Sequence, residues 1–214
     1  MIELTPSGGN STLVEGTIVL TVDMKSETFE PMPLQFREDR ATQAAARLLR
    51  LRGGTMSHLK LMKLLYLADR QALIELGRPI SYDMYVSMPH GPVLSRTLDL
   101  MTAEPEPQTR SYWRTLISEP RNWEVSLVSE DIPQDQLSQA EEAILDRVFA
   151  RYGHLSRWEI RDLSHALPEW RDPHGSCVPI SIKEILVHHG MSEEDASAIV
   201  ESLRAETYAD QLAG

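Results

Sequence analysis

Residues 57–77 constrain this chain more than any other stretch. They read SHLKLMKLLYLADRQALIELG, with no proline and no glycine before the last position. Ser57 stands where an N-cap belongs, and Gly77 where a helix C-terminus favours a left-handed residue. The roughly 19 residues between them are long enough for a stable packed helix. At about 100° per residue, Lys60, Lys63, Arg70, Gln71 and Glu75 fall on one narrow polar arc. Leu59, Leu61, Met62, Leu65, Tyr66, Ala68, Ala72, Leu73 and Leu76 fill the rest of the circumference. A helix that is apolar around most of its surface is covered by other elements. The fold is therefore expected to have a central helix, with the rest of the chain as its cover.

Asp69 breaks that pattern. It falls opposite the polar arc, amid Met62, Leu65, Leu73 and Leu76. A buried carboxylate needs donors, so Asp69 is expected to be an internal structural anchor tied to a loop N–H group or an arginine. The expected partner is the loop at His90-Gly91-Pro92. Proline suits a first helical position, which predicts a helix over residues 92–101 whose free N–H groups attract an anion.

The remaining chain reads in order as follows. Residues 1–35 form an N-terminal extension with a β-branched run, LVEGTIVLTV, that predicts a strand over 12–22. The PMP at 31–33 reads as a linker. Residues 37–52 predict a helix with an apolar stripe of Ala44, Ala45, Leu48 and Leu49, ended by Gly53 and Gly54. Residues 81–88 alternate as a short strand, with Tyr82, Met84, Val86 and Met88 on one side. Two β-rich runs, 109–117 and 122–128, predict a hairpin that brings Trp113 and Trp123 near each other. Beyond it, Ser138 with Glu141, Ser156 with Glu159, and Ser181 with Glu184 mark three capping boxes. The first opens a helix to Tyr152 with the stripe Leu137, Ala140, Ile144, Val148 and Tyr152. Ser192 caps a last helix that turns Ala196, Ile199, Val200, Leu203 and Tyr208 inward. The fold class is α+β and mostly helical, a single domain with a small hairpin or sheet. Its expected parts are the extension 1–35, a domain over 36–190, and a C-terminal helix over 191–214 packed on it.

The residues argue against catalysis. His188 and His189 are adjacent and share no helix face. His165 and His174, with Asp172 between them, lack the spacing of a metal site. Cys177 is the single cysteine, which excludes an intramolecular disulfide. No nucleophile elbow and no glycine-rich phosphate loop is present. The expectation is no enzyme, no metal and no cofactor. A formal net charge of -11 favours a basic partner over nucleic acid. No apolar run approaches a membrane span, and a cytoplasmic location is expected. Binding suits the loop YVSMPHGPV better, since aromatic and methionine side chains are common at adaptable interfaces. Gly91 and Pro92 equally suit a turn that the fold requires. His165 and Trp170 are expected to anchor the loop after the short helix.

KLMKLLYLADR, then GRPI, then the strand ending in PHGPV, resembles the Panacea domain of SocA-like antitoxins. LSQAEEAILDRVFARYGHLSRWEIRDLSHALPEW continues the resemblance, with a helix beginning LSxxE, a Tyr-Gly break, and a histidine before Pro and Trp. It covers roughly residues 40–172. Such proteins are bacterial or phage antitoxins that neutralise the toxin encoded beside them. The resemblance implies a Panacea-like domain and a cognate toxin as partner, without saying which residues touch it. The composition of the loop makes Tyr85, Met88, His90, Gly91 and Pro92 the candidate contacts. The resemblance also leaves open a proteolytic adaptor that delivers a toxin to a Clp-type protease, or a DNA-binding protein that regulates its own operon.

Overall fold

A computed structural model describes residues 34–102 and 111–213 of the chain. The predicted strand over 12–22 and the 31–33 linker lie outside the described residues. The elements run α1 (Glu38–Arg52), β1 (Thr55–Ser57), α2 (His58–Leu76), β2 (Tyr85–Met88), β3 (Gly91–Leu94), α3 (Ser95–Thr102) and α4 (Trp113–Leu116). Then come β4 (Glu124–Ser126), α5 (Gln139–Tyr152), α6 (Arg157–His165), β5 (Val178–Ile180), α7 (Ile182–His188) and α8 (Glu193–Ala213). The mostly helical α+β class holds.

α2 is the predicted pillar. It packs against α1, α5, α6, α3 and α7 and against β1 and β3. Gly77 closes it in the left-handed conformation, φ 69°, and donates to the Leu73 carbonyl. Ser57 holds the N-cap position, but its side chain accepts no capping bond. The burial goes further than the helical wheel predicts. Lys60 and Lys63 of the polar arc are buried with the leucines, and Lys63 is 0 % exposed. Only the C-terminal half of the arc, from Arg70 to Glu75, reaches the surface.

Two small antiparallel sheets flank this core. β1 pairs with β4, placing Thr55 opposite Ser126 and Met56 opposite Val125. β2 is the middle strand of the order β3-β2-β5, with Tyr85 between Leu94 and Ile180. Pro92 therefore does not start a helix. It pairs with Ser87 in β3, and the helix begins three residues later at Ser95. Proline is tolerated there because β3 is an edge strand; Pro179 uses the other edge, β5.

Other expectations shift by one contact or one turn. Val86 and Met88 do share one side of β2, and the fully buried side is that of Tyr85 and Ser87. The hairpin is replaced in part: residues 113–116 are helical, and β4 pairs with β1 over its length. A turn does bring Arg121 back to Glu124, with isolated pairing at Ile117 and Leu127. Trp113 is buried in the core, whereas Trp123 is 70 % exposed. The Ser138/Glu141 and Ser156/Glu159 capping boxes form reciprocally. Ser181 accepts from the Glu184 N–H, but the Glu184 carboxylate pairs with Arg171 instead of closing the box. On α5 the buried face is Glu141, Ile144, Leu145 and Val148, which leaves Ala140 exposed. On α8 Thr207 is buried and Tyr208 faces out.

Candidate functional site

The buried polar groups of α2 tie the surface loops to the core. Asp69 is 1 % exposed and accepts from the Ser81 N–H at 2.7 Å and the Tyr85 hydroxyl at 2.6 Å. Its partners are therefore these groups and not the loop at His90-Gly91-Pro92. Burial pushes its carboxyl up to about 6, and the bonds from Tyr85 and Ser81 oppose that rise. The Tyr85 ring meets Tyr66 edge-on, with centroids 5.7 Å apart. Tyr66 donates to Glu169 Oε1 at 3.0 Å, and Arg70 Nε reaches the same oxygen at 2.6 Å.

The predicted anion at a helix start exists, supplied by the chain itself. The carboxylate of Asp83 accepts from the N–H groups of Met84, Arg96 and Thr97, the last two in the first turn of α3. The Thr97 hydroxyl donates to it as well, at 2.7 Å.

The opposite side of α2 holds the turn between β2 and β3. Lys63 Nζ donates to the Pro92 carbonyl at 2.7 Å, in surroundings dry enough that burial lowers its ammonium to about 7. Gly91 adopts φ 89°, and a Cβ there would lie 2.4 Å from Ser164 Oγ and 3.1 Å from both Lys63 Nζ and His165 Cδ2. A side chain there would force these neighbours to shift. The His165 ring stacks on Trp170 at 4.1 Å and 11°, and Trp170 Nε1 donates to the Met88 carbonyl at 3.1 Å. Burial lowers the His165 value first, and the nearby Lys63 adds to it.

The two groups of residues singled out in the sequence thus meet at one corner. Gly91 and Pro92 are buried, Met88 is half-buried, and His90 is exposed. Tyr85 is 2 % exposed and committed to Asp69, so it offers no contact surface. His165 and Trp170 hold the turn from behind. Sequence reasoning missed Lys63, read as part of a polar arc, and Asp83 and Glu169. Single carboxylates in loops carry no periodic signal, and only the donors around them identify them.

Chemically, the buried charges end on carbonyls, N–H groups, hydroxyls and guanidinium groups of the fold itself. Among the described residues, no group of three or more His, Cys, Asp or Glu side chains is placed to hold a metal. No described helix is long and apolar enough to cross a membrane. The arrangement defines a scaffold that fixes and presents a surface turn. The chain belongs to the family described as antitoxin SocA-like, Panacea domain, which matches residues 61–171. That membership supports an antitoxin role and a toxin as partner, and suggests a function without catalysis. Searches of the curated proteins and of the solved structures returned no match. The matched segment contains Asp69, Tyr85, the 88–92 turn, His165, Glu169 and Trp170.

Proposed function

We propose that this chain neutralises its cognate toxin by direct protein–protein contact. The clamp behind the 88–90 turn carries the reading. Trp170 fixes the Met88 carbonyl, His165 stacks on Trp170, and Gly91 lies against Ser164, so the exposed tip is held rigid before any partner arrives. A rigid tip loses little conformational entropy on binding. Met88 and His90 are the proposed contacts of this turn, with Gly91 and Pro92 shaping it from below. Lys63, the one amine here with a value near neutrality, is sealed from solvent and serves as a strut for Pro92.

The test is to express the product of the neighbouring reading frame alone and together with the full chain, scoring growth and co-purification. A stable complex that relieves toxicity supports the proposal. His90→Ala is then expected to keep the melting temperature and weaken the complex about tenfold, the scale of a 1.4 kcal/mol contact. Relief without a complex, and only in the presence of a Clp-type protease, would replace direct neutralisation by delivery for degradation.

A further inference from the structure

A second surface lies on the side of the molecule built by β1, β4 and the start of α6. An open groove of about 400 Å³ is lined there by Arg52, Ser57, Lys60, Glu124, His154 and Arg157, among others. Its polar character runs against that of the whole chain, whose net charge is -11. Several described arginines sit beside carboxylates, as Arg40, Arg47, Arg70 and Arg171 do. Arg52 and Arg157 form no ion pair among the described residues. Lys60 donates its ammonium to the Gly153 carbonyl at 2.6 Å and is attracted by the Glu159 carboxylate, so it is the two arginines that stay without a counter-charge. Of the two carboxylates at the groove, Glu159 turns back to accept the Ser156 N–H at 2.7 Å.

Exposed aromatics stand beside this basic lining. Trp123 precedes Glu124, and its ring lies 5.7 Å from that of His58. Trp158 follows Arg157 and is 46 % exposed, with the guanidinium groups of Arg157 and Arg161 each 4.9 Å from its ring. The Trp123 backbone is held at φ 66°, next to Asn122 at φ 51°, in the two-residue turn from Arg121 to Glu124. Such a turn favours glycine at its second central position. A bulky residue at positive φ is a true outlier, and such strain gathers at functional sites. Trp123 is 70 % exposed, so core packing does not account for it.

We propose that this groove docks an acidic segment of a protein partner, its carboxylates on Arg52 and Arg157 and an apolar side chain against the tryptophans that adjoin Glu124 and Arg157 in the chain. Charge complementarity selects this occupant: two arginines without an ion pair, set beside exposed aromatic rings, attract carboxylates. On the reading of the preceding subsection, the segment belongs to the toxin.

The probe is a fluorescein-labelled peptide of glutamates around one central phenylalanine, titrated into the full chain at low salt and followed by anisotropy. Saturable binding is expected, weakened at least tenfold by Arg157→Glu and by Trp123→Gly and unchanged by His90→Ala. Trp123→Gly suits the turn better than the parent residue, so its melting temperature should not fall while its binding does. No saturable binding, or binding indifferent to both substitutions, overturns the proposal. If the peptide binds in this way but the neighbouring gene's product does not co-purify, the docking surface stands and direct neutralisation falls.

Discussion

Asp69 ties the central helix to the chain that follows it. Its two oxygens hold the Ser81 N–H and the Tyr85 hydroxyl, which fixes both the turn after α2 and the first residue of β2. Asp69→Ala leaves both donors buried and unpaired. The expected loss is about 2–4 kcal/mol, since each orphaned buried group costs about 1–3 kcal/mol. Urea unfolding measures it, and an unchanged midpoint would show that water reaches these donors. Lys63 makes a prediction of opposite kind. Its ammonium is lowered by burial to about 7 from 10.5, so between these values the unfolded chain holds a proton that the folded chain has released. Stability therefore rises with pH across that window and is flat below it. At about 1.4 kcal/mol per pH unit, its share from pH 7 to 9 is about 2–3 kcal/mol. The titratable group facing it across the turn is His165, already lowered by the same burial. Lys63→Met should remove the rise, and parallel stability curves for parent and variant from pH 7 to 9 would refute it.

Among the elements, the β2–β3 hairpin depends on one glycine. Gly91 pairs with Met88, adopts φ 89° and touches Ser164 and His165 of α6. Gly91→Ala adds left-handed strain of about 1–2 kcal/mol and an overpacking cost of about 1–3 kcal/mol. A loss of roughly 3 kcal/mol is expected, and a loss below about 1 kcal/mol would mean that α6 yields freely. Cys177, exposed beside this sheet, serves as the control for the same assay by Cys177→Ser. The hairpin also marks the limit of what the sequence declares. Ser138 with Glu141 and Ser156 with Glu159 are legible because a capping box involves only four consecutive residues. The pillar helix is legible because its apolar residues repeat at a helical period. Pro92 in a strand is not, since only the distant pairing of β2 makes it an edge position. β4 was legible as a strand at 122–128, but its partner β1 lies nearly seventy positions earlier, beyond any local pattern. For the candidate site, Met88 and His90 were visible as loop residues beside Gly and Pro. Tyr85 was misread as a contact because its hydroxyl partner Asp69 lies sixteen positions earlier on α2, beyond any local pattern.

At the scale of the whole molecule, the family match and the folding unit differ. The match begins at residue 61, inside α2, and ends at residue 171, before β5. Yet α1 lays Ala44, Ala45, Leu48 and Leu49 into the same core as α2, and all four are essentially inaccessible. Gln43 donates to Asp135 at 2.6 Å, and Glu38 accepts from the Trp113 N–H at 3.0 Å, so α1 also orders residues within the match. On the other side β5 covers the free edge of β2 at Tyr85 and Ser87. Burying Leu48 and Leu49 alone contributes roughly 3–6 kcal/mol, comparable with the 5–15 kcal/mol net stability of an ordinary domain. The segment 61–171 is therefore expected to lack a cooperative urea transition, while 34–213 keeps one that matches the full chain in midpoint and slope. A sharp transition in 61–171 would show that α2, α5 and α6 close a core without α1. Loss of the transition in 34–213 would place residues 1–33 inside the folding unit, and the boundary of the domain would move to the start of the chain.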